Sequence, residues 1–147
     1  MDKIKIQGVE ITPLKIIEDN RGDVLHMLRN DSIGFENFGE CYFSEIKPGI
    51  IKAWKRHQHQ SQNLTVPIGS IELVIYDNRP ESLTKGNLLK IIIGRPNNYF
   101  RVKIPAKVWY GFKSNSNLTS LIVNCTNIPH DPDDNELINI QDFLIPF

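Results

Sequence analysis

The feature that most constrains the fold of this chain is a polar–apolar alternation of period two that recurs along its length. The segment "SIELVIYD" places Ile71, Leu73 and Ile75 on one face, "CYFSEIK" mixes polar with apolar and aromatic residues, and "LLKIIIG" and "TSLIVNC" are short and rich in β-branched residues. Such segments are typical of β-strands. The one helical turn we expect lies within "DNELINIQDF", near the C-terminus. The chain is therefore expected to be almost entirely β.

Turn-forming residues separate these segments at intervals of about 8–15 residues. They cluster at residues 20–22, 47–49, 67–69, 78–80, 95–98 and 114–117. Many short strands at such spacing predict an antiparallel β-barrel or jelly roll. Because the 147 residues contain no linker, repeat or low-complexity tract, we expect a single domain over residues 1–147.

Charge and hydropathy narrow the classes of function. Seventeen Lys and Arg residues balance seventeen Asp and Glu residues, so no overall field favours nucleic acid or an anionic membrane surface. No apolar run reaches the roughly 18 residues of a membrane span, and the first residues lack the apolar core of a secretion signal. Cys41 and Cys125 fit no metal or redox spacing and are expected to be buried, reduced thiols. Together these features predict a cytoplasmic protein that binds neither nucleic acid nor membrane.

The stretch "IKAWKRHQHQSQNL", residues 51–64, concentrates basic and imidazole side chains in a segment of strand character. Alternation divides an extended strand into two faces. One face carries Lys55, His57 and His59, and the other carries Trp54 and Arg56. Burying the first face costs several kcal/mol unless partners or a ligand satisfy it. We predict that this face points into the barrel and lines a ligand pocket.

His57 and His59 also form the His-x-His pair with which a metal-binding cupin holds a divalent ion. That metal pattern needs a carboxylate a few residues later and a further His on a later strand. No carboxylate occurs in residues 60–63, and Tyr110 stands where the later His would fall. The sequence therefore predicts a site without a metal or other cofactor, with a metal-dependent cupin as an alternative.

Several longer motifs run through nearly the whole chain. "EDNRGDVL" contains an Asp-x-Arg-Gly motif, "YDNRPESLTKG" an Asp-x-Arg-x-x-Ser-x-Thr-x-Gly hairpin, and "VKIPAKVWYGF" an "IP…GF" strand. Together with "KPGIIKAWKRH" and the ending "VNCTNIPHDPDDNELINIQDFLIPF", they resemble the dTDP-4-dehydrorhamnose 3,5-epimerases, which are metal-free jelly rolls of the cupin type. The resemblance implies a nucleotide-sugar epimerase or isomerase of surface-polysaccharide biosynthesis. It also implies a homodimer that pairs through edge strands.

The sequence departs from the family at the catalytic positions. The strand that reads Arg-Gly-x-His in the family reads "KAWK" here, with Lys52 at the Arg and Lys55 at the His. The catalytic Tyr of the family falls on Val123, and the His of its "HGF" falls on Tyr110. The family's partner Asp falls at or near Asp142. The resemblance therefore implies a divergent member with altered or lost activity.

The family reaction removes a proton next to a ketone, which needs a base and donors that hold the enolate oxygen. A nearby carboxylate would keep Lys55 charged, so this residue suits the enolate oxygen better than the role of base. His57 has the intrinsic pKa of a base. We therefore expect His57 to be the base, Lys55 to stabilise the enolate, Tyr110 to be the acid, and Asp142 to orient Lys55.

Further side chains are expected to bind a nucleotide-sugar substrate. Arg21 and Lys52 suit phosphate recognition. Lys55, His57 and Gln62 are similar in spacing to the His-x-His and the following Gln of the related nucleotide-sugar 3,4-ketoisomerases. His59 shares the face of Lys55 and His57, and Asn63 falls near a family Lys that helps to hold the substrate oxygen. Two alternatives remain: a sugar-nucleotide-binding protein that has lost turnover, and an enzyme of the 3,4-ketoisomerase type.

Overall fold

The computed structural model of the chain describes residues 4–143, 145 and 147. Regular structure in this part consists of short β-strands and two 3-10 helices, Pro132–Asp134 and Ile140–Asp142. The strands are β1 (Glu10–Pro13), β2 (Ile16–Ile17), β3 (Val24–Leu25), β4 (Glu40–Ile46), β5 (Ile51–His57), β6 (Gln62–Ile68), β7 (Ser70–Tyr76), β8 (Leu88–Gly94), β9 (Phe100–Ile104), β10 (Trp109–Ser114), β11 (Ser120–Thr126) and β12 (Asn135–Leu137).

The strands form two five-stranded antiparallel sheets and one small hairpin. The order in the first sheet is β1-β9-β6-β11-β4, and the order in the second is β12-β5-β10-β7-β8. β2 pairs with β3 alone. This arrangement confirms the predicted all-β jelly roll. The helical turn expected within residues 134–143 is the 3-10 helix Ile140–Asp142, and the 3-10 helix Pro132–Asp134 was not expected.

The main core lies between the two sheets, because alternate residues of both sheets point toward one another. Its members are apolar residues on seven of the strands and the segments beside them: Ile6, Ile46, Leu64, Val66, Ile71, Leu73, Ile75, Ile93, Val102, Ile104, Val108, Tyr110 and Ile122. Burial of a branched side chain of this kind contributes about 1.5–3 kcal/mol. The core therefore holds the sheets apart at a fixed distance and leaves room for polar side chains at one end.

A second cluster covers the outer face of the second sheet. Trp54 is fully buried there and stacks on Phe143, with ring centroids 4.4 Å apart. Arg56 lies over the ring of Trp109 at 4.5 Å. Trp54 and Trp109 therefore pack on the side of the sheet that faces away from the core, and the C-terminal residues close over them.

The two cysteines differ from the expectation of buried thiols. They are paired across β4 and β11, Cys41 is exposed, and Cys125 is half-buried. The alternation along edge strand β4 explains this placement, because Tyr42 turns inward and its neighbour Cys41 must turn outward. Both thiols are free.

Every predicted turn cluster lies between strands or at a strand end, and Gly69 shows why one of them requires glycine. Its φ is +83°, and an added Cβ would lie 2.7 Å from the Cα of Ser120.

We expect Gly69→Ala to lower the free energy of unfolding by about 3 kcal/mol. This is the sum of two costs, one for holding a non-glycine residue in the left-handed conformation and one for the clash of its Cβ with the backbone of Ser120. Urea unfolding measures this loss.

Gly49→Ala is the matched control for that substitution. Gly49 also has a positive φ of +77°, but nothing lies within 4 Å of an added Cβ. The conformational cost alone is about 1 kcal/mol. Equal losses for the two variants would show that the close approach of Ser120 does not matter.

Candidate active site

A cavity of about 400 Å³ opens between the two sheets. Its polar lining comes from both of them, and apolar residues such as Leu64 and Ile122 form its floor. Lys55 on β5 and Tyr110 on β10 form one side, here called the β5–β10 wall, and Tyr42 on β4 and Asn124 on β11 form the other, the β4–β11 wall. A concave site with a few converging polar groups on an apolar floor is typical of small-molecule binding.

Strand β5 has the orientation that the alternation predicted. Lys55 lines the cavity, and His57 is buried beside the core residue Tyr110. Trp54 and Arg56 belong to the packing on the outer face. Lys55 and His57 therefore point into the jelly roll, as the alternation predicted for these two residues.

His57 lies behind the β5–β10 wall and contacts one of the two residues that form it, Tyr110. Its Nε2 is 3.3 Å from the hydroxyl oxygen of Tyr110, which itself lines the cavity. On the other side, Nδ1 is 3.9 Å from a carboxylate oxygen of Asp134, too long for a hydrogen bond but close enough for attraction. A negative charge on that side favours the proton on Nδ1 and leaves Nε2 free to accept from Tyr110.

The buried surroundings control the charge of this pair. Burial, together with the positive charge of Lys55, lowers the pKa of His57 to about 4, although the charge of Asp134 opposes the shift. Burial also raises the pKa of Tyr110. At neutral pH His57 is therefore uncharged and Tyr110 is protonated, so the pair has an open acceptor and a donor in contact.

This shift predicts a pH dependence of stability. A His whose folded-state pKa lies below its unfolded value of about 6.5 costs no stability above that pH, and stability is lost as the pH falls from 6.5 toward 4. We expect the wild type to lose about 2 kcal/mol more than His57→Gln between pH 7 and pH 5. Urea unfolding at both pH values measures the difference, and parallel curves for the two proteins would contradict the shift.

Lys55 stands in the cavity without an anionic partner. Among the residues that the structure describes, no carboxylate lies within 4 Å of its Nζ, and burial lowers its pKa. Lys52, at the exposed mouth of the same cavity, donates to the backbone carbonyl of Glu45 at 2.5 Å. The cavity thus presents one cation inside and one at its entrance, which suits an oxyanion deep in the site and a phosphate outside.

The β4–β11 wall contains polar groups that the sequence did not identify. Asn124 donates to the hydroxyl oxygen of Tyr42 at 3.0 Å and to Oε1 of Gln62 at 2.6 Å. Gln62, predicted as a substrate-binding residue, is therefore a buried support behind Asn124. The inward alternation of "CYFSEIK" was the signal that could have indicated Tyr42.

The expectation for His59 was wrong. β5 ends at His57, so the alternation that would have turned His59 inward stops before it. The His59 side chain is 81% exposed, and its Nδ1 contacts Asp134 at 2.7 Å. His59 therefore lies at the surface and does not line the cavity.

The expectation for Asp142 was also wrong. Asp142 is exposed in the second 3-10 helix, next to Phe143 on the outer face of the sheet, and within residues 4–143 it makes no ion pair with Lys55. The carboxylate near the site belongs to Asp134, which accepts from the backbone N–H groups of His59 and Gln60 at 2.8 and 3.0 Å. Burial opposes the charge on Asp134, but these hydrogen bonds outweigh it and lower its pKa.

Two predicted substrate-binding residues lie away from the cavity. The Arg21 side chain is 90% exposed and is folded onto Asp19 in a two-point ion pair at 2.8 and 2.9 Å. Asn63 is buried on the opposite face of β6 from Gln62 and Leu64, because alternation turns it away from the cavity. Neither side chain contacts the groups around Lys55 in the single chain.

The metal alternative finds no ligand set in the described part of the chain. Within residues 4–143, 145 and 147, no three His, Cys, Asp or Glu side chains come together as metal ligands would. His57 is buried and the His59 side chain is 81% exposed, and the Nδ1 atoms of the two rings lie 3.9 and 2.7 Å from the carboxylate of Asp134. No helix in the same part of the chain has the length and apolar character of a membrane span.

Comparison with known proteins identifies relatives over most of the chain. A family model described as dTDP-4-dehydrorhamnose 3,5-epimerase matches residues 3–146. A probable low-salt glycan biosynthesis epimerase of Haloferax volcanii is 35% identical over 137 residues, which cover 90% of this chain and 87% of the relative. A spore coat polysaccharide biosynthesis protein of Bacillus subtilis is 31% identical over 128 residues, covering 87% and 84%.

Solved structures similar to this chain are also described as isomerases or epimerases of dTDP sugars. A dTDP sugar isomerase from Desulfovibrio desulfuricans G20 is 43% identical, with a TM-score of 0.95 over 100% of this chain and 94% of that one. A dTDP-6-deoxy-D-glucose-3,5-epimerase from Legionella pneumophila, 22% identical, shares the fold with a TM-score of 0.82 over 95% and 77%. The chain belongs to the dTDP-4-dehydrorhamnose 3,5-epimerase family.

Proposed function

We propose that this protein is a nucleotide-sugar epimerase that acts on a 4-keto sugar nucleotide by removing the proton next to the ketone. The observation that carries the proposal is the β5–β10 wall. There Lys55, a half-buried cation with no carboxylate within 4 Å among the described residues, stands in the cavity on the strand beside Tyr110, whose hydroxyl contacts His57 at 3.3 Å. A cation for the enolate oxygen and a route for the proton are the two requirements of the reaction.

His57 is the base of this proposal, and Tyr110 connects it to the substrate. The proton next to the ketone passes to the Tyr110 oxygen as the Tyr110 proton passes to Nε2 of His57. The electron pair of the broken C–H bond forms the enolate. Asp134, 3.9 Å from Nδ1, stabilises the imidazolium that results. Tyr110 was expected to be the acid, but its contact with His57 favours a role in removing the substrate proton rather than in returning one.

Lys55 holds the enolate oxygen. Its ammonium is desolvated, so its attraction to a developing negative charge is stronger than at the surface. Lys52 at the mouth is placed to bind the diphosphate. An anionic substrate in this cavity also raises the pKa of His57 from its low value in the empty site, since a nearby negative charge favours the imidazolium.

A same-face isomerase is the second candidate, and one observation favours it. Tyr110 and the His57 behind it are on one side of the cavity. Together they can remove a proton and return it to a neighbouring atom on one face of the sugar. This is the movement that a 3,4-ketoisomerase needs. A binding protein without turnover is the third candidate, motivated by the replacement of the family His by Lys55.

Proton NMR of dTDP-4-keto-6-deoxyglucose in deuterium oxide separates these candidates. We expect the wild type to exchange the C3 or C5 proton for deuterium and to form a C3 or C5 epimer. A product with its keto group moved to C3 would identify the isomerase. Binding of the sugar nucleotide without any exchange would contradict turnover and leave the binding protein.

We also propose that the protein works in the cytoplasm, in surface-polysaccharide synthesis, as a homodimer. The edge of the first sheet supports the dimer: β4 is its last strand in the described part of the chain, and Phe43 on its outer face is 69% exposed. Phe38, just before β4 in the sequence, is also exposed. Unpaired edge strands with apolar residues favour strand pairing with a second copy. Sedimentation equilibrium measures the assembly.

A further inference from the structure

A row of buried amides stands behind the β4–β11 wall and is anchored on one backbone carbonyl. The carbonyl of Ile128 accepts from Nε2 of Gln60 at 2.8 Å and from Oγ1 of Thr126 at 2.8 Å. A carbonyl oxygen only accepts hydrogen bonds, so the nitrogen of the Gln60 amide must face it. This contact fixes the orientation of the first amide in the row.

The orientation passes along the row, because each amide has one donor end and one acceptor end. Oε1 of Gln60 accepts from Nε2 of Gln62 at 2.8 Å, and Oε1 of Gln62 accepts from Nδ2 of Asn124 at 2.6 Å. The other hydrogen of Nδ2 is donated to the hydroxyl oxygen of Tyr42 at 3.0 Å. Reversing any amide would place two acceptors or two donors against each other, so the row has one direction.

Two unused groups remain at the cavity end of this row. Tyr42 accepts from Asn124, so its own O–H hydrogen must point elsewhere, and within residues 4–143 no acceptor meets it. Oδ1 of Asn124, on a residue only 5% exposed, also has no hydrogen-bond partner in the same part of the chain, but this atom is itself buried. Because Tyr42 lines the cavity, its hydroxyl hydrogen is the donor that this row holds ready for a ligand.

The position of Tyr42 matters for the stereochemistry of epimerisation. Inversion removes a proton from one face of a carbon and adds a proton to the other face. Tyr110 is on the β5–β10 wall with His57 behind it, whereas Tyr42 is on the β4–β11 wall across the cavity. Burial raises the pKa of Tyr42, so the hydroxyl is protonated at neutral pH.

From this geometry we infer that Tyr42 donates the proton that completes inversion, and that Asn124 positions it. The inference rests on the proposed epimerase function. The enolate carbon forms its new C–H bond with the Tyr42 hydroxyl proton as the C=O bond reforms, and the phenolate of Tyr42 then takes a proton from water. Asn124 acts through Tyr42, by occupying its lone pair and turning its hydrogen into the cavity.

Tyr42→Phe tests the inference with two readouts on the same NMR sample. Deuterium exchange at the reacting carbon reports proton removal, and the amount of epimer reports delivery to the other face. We expect Tyr42→Phe to keep exchange within about threefold of the wild type while inversion falls about 100-fold or more. Normal inversion in Tyr42→Phe, or an equal loss of exchange and inversion, would overturn the inference.

Asn124→Leu tests the positioning. It keeps the side-chain volume but removes the donor to Tyr42, so the ratio of inversion to exchange is expected to fall about tenfold, a change that general destabilisation would not produce. An unchanged ratio would overturn the role of Asn124.

Tyr76→Phe, in the outer cluster, is the control for loss of a Tyr hydroxyl, and we expect it to keep the wild-type ratio of inversion to exchange. The wild type alone decides the proposed function, because a wild type without exchange would contradict that function whatever the variants do.

Discussion

His57→Gln is expected to lower the rate of deuterium exchange at the carbon next to the ketone about 10³-fold, with little change in the binding of the sugar nucleotide. In the proposed mechanism Nε2 of His57, 3.3 Å from the Tyr110 hydroxyl, accepts the Tyr110 proton, and a positioned base is worth about 10²–10⁴ in rate. An amide in its place fills the same space but cannot take up a proton. Because His57 lies behind the wall, the cavity surface that binds the substrate stays the same.

His59→Gln is the matched control for this variant. His59 is two residues away in sequence, but its side chain is 81% exposed at the protein surface. We expect its exchange rate to stay within about twofold of the wild type. A large loss in His59→Gln together with a small loss in His57→Gln would place the base outside the cavity and contradict the proposed site.

Lys55→Met is expected to lower the exchange rate about 10²–10³-fold, because it removes the cavity cation that we propose stabilises the enolate oxygen. The same substitution should leave the free energy of unfolding unchanged or raise it. A half-buried ammonium without a carboxylate within 4 Å costs desolvation energy, and Met fills nearly the same volume. Opposite effects on rate and on stability distinguish a functional lysine from a structural one.

Urea unfolding and the exchange assay measure both effects in one set of samples. Asp142→Asn is the control, since Asp142 is exposed and makes no ion pair with Lys55. We expect it to keep the wild-type rate. If Asp142→Asn were as slow as Lys55→Met, the orienting partner would be Asp142 after all. A Lys55→Met protein that is both active and less stable would contradict the role of Lys55.

The orientation of β5 could be predicted because period-two alternation is a local property of a strand. Once residues 51–57 are extended, Lys55 and His57 share a face, and the bulky Trp54 fills the other side. The same rule failed at His59 because it holds only while the strand continues. The strand ends when the chain bends at residues 58 and 59, and the sequence gives no strong turn signal there.

The choice between Asp134 and Asp142 required the tertiary structure. Both lie in the acid-rich tail, and only the pairing of β12 with β5, Asn135 opposite His57, brings Asp134 beside the site. Tyr42 was missed for a related reason. Alternation puts Tyr42, Ser44 and Ile46 on one face of β4, but only the order of the sheet places β4 beside β11 and hence Tyr42 beside Asn124.

A crystal structure of His57→Gln with dTDP-4-keto-6-deoxyglucose is the most direct test of the site as a whole, because the slow variant keeps the substrate intact. We expect the sugar ring in the cavity, with its keto oxygen within hydrogen-bond distance of Lys55 and the reacting carbon between Tyr110 and Tyr42. The diphosphate should lie toward Lys52. A sugar bound outside the cavity, or one whose keto oxygen points away from Lys55, would contradict the proposed site.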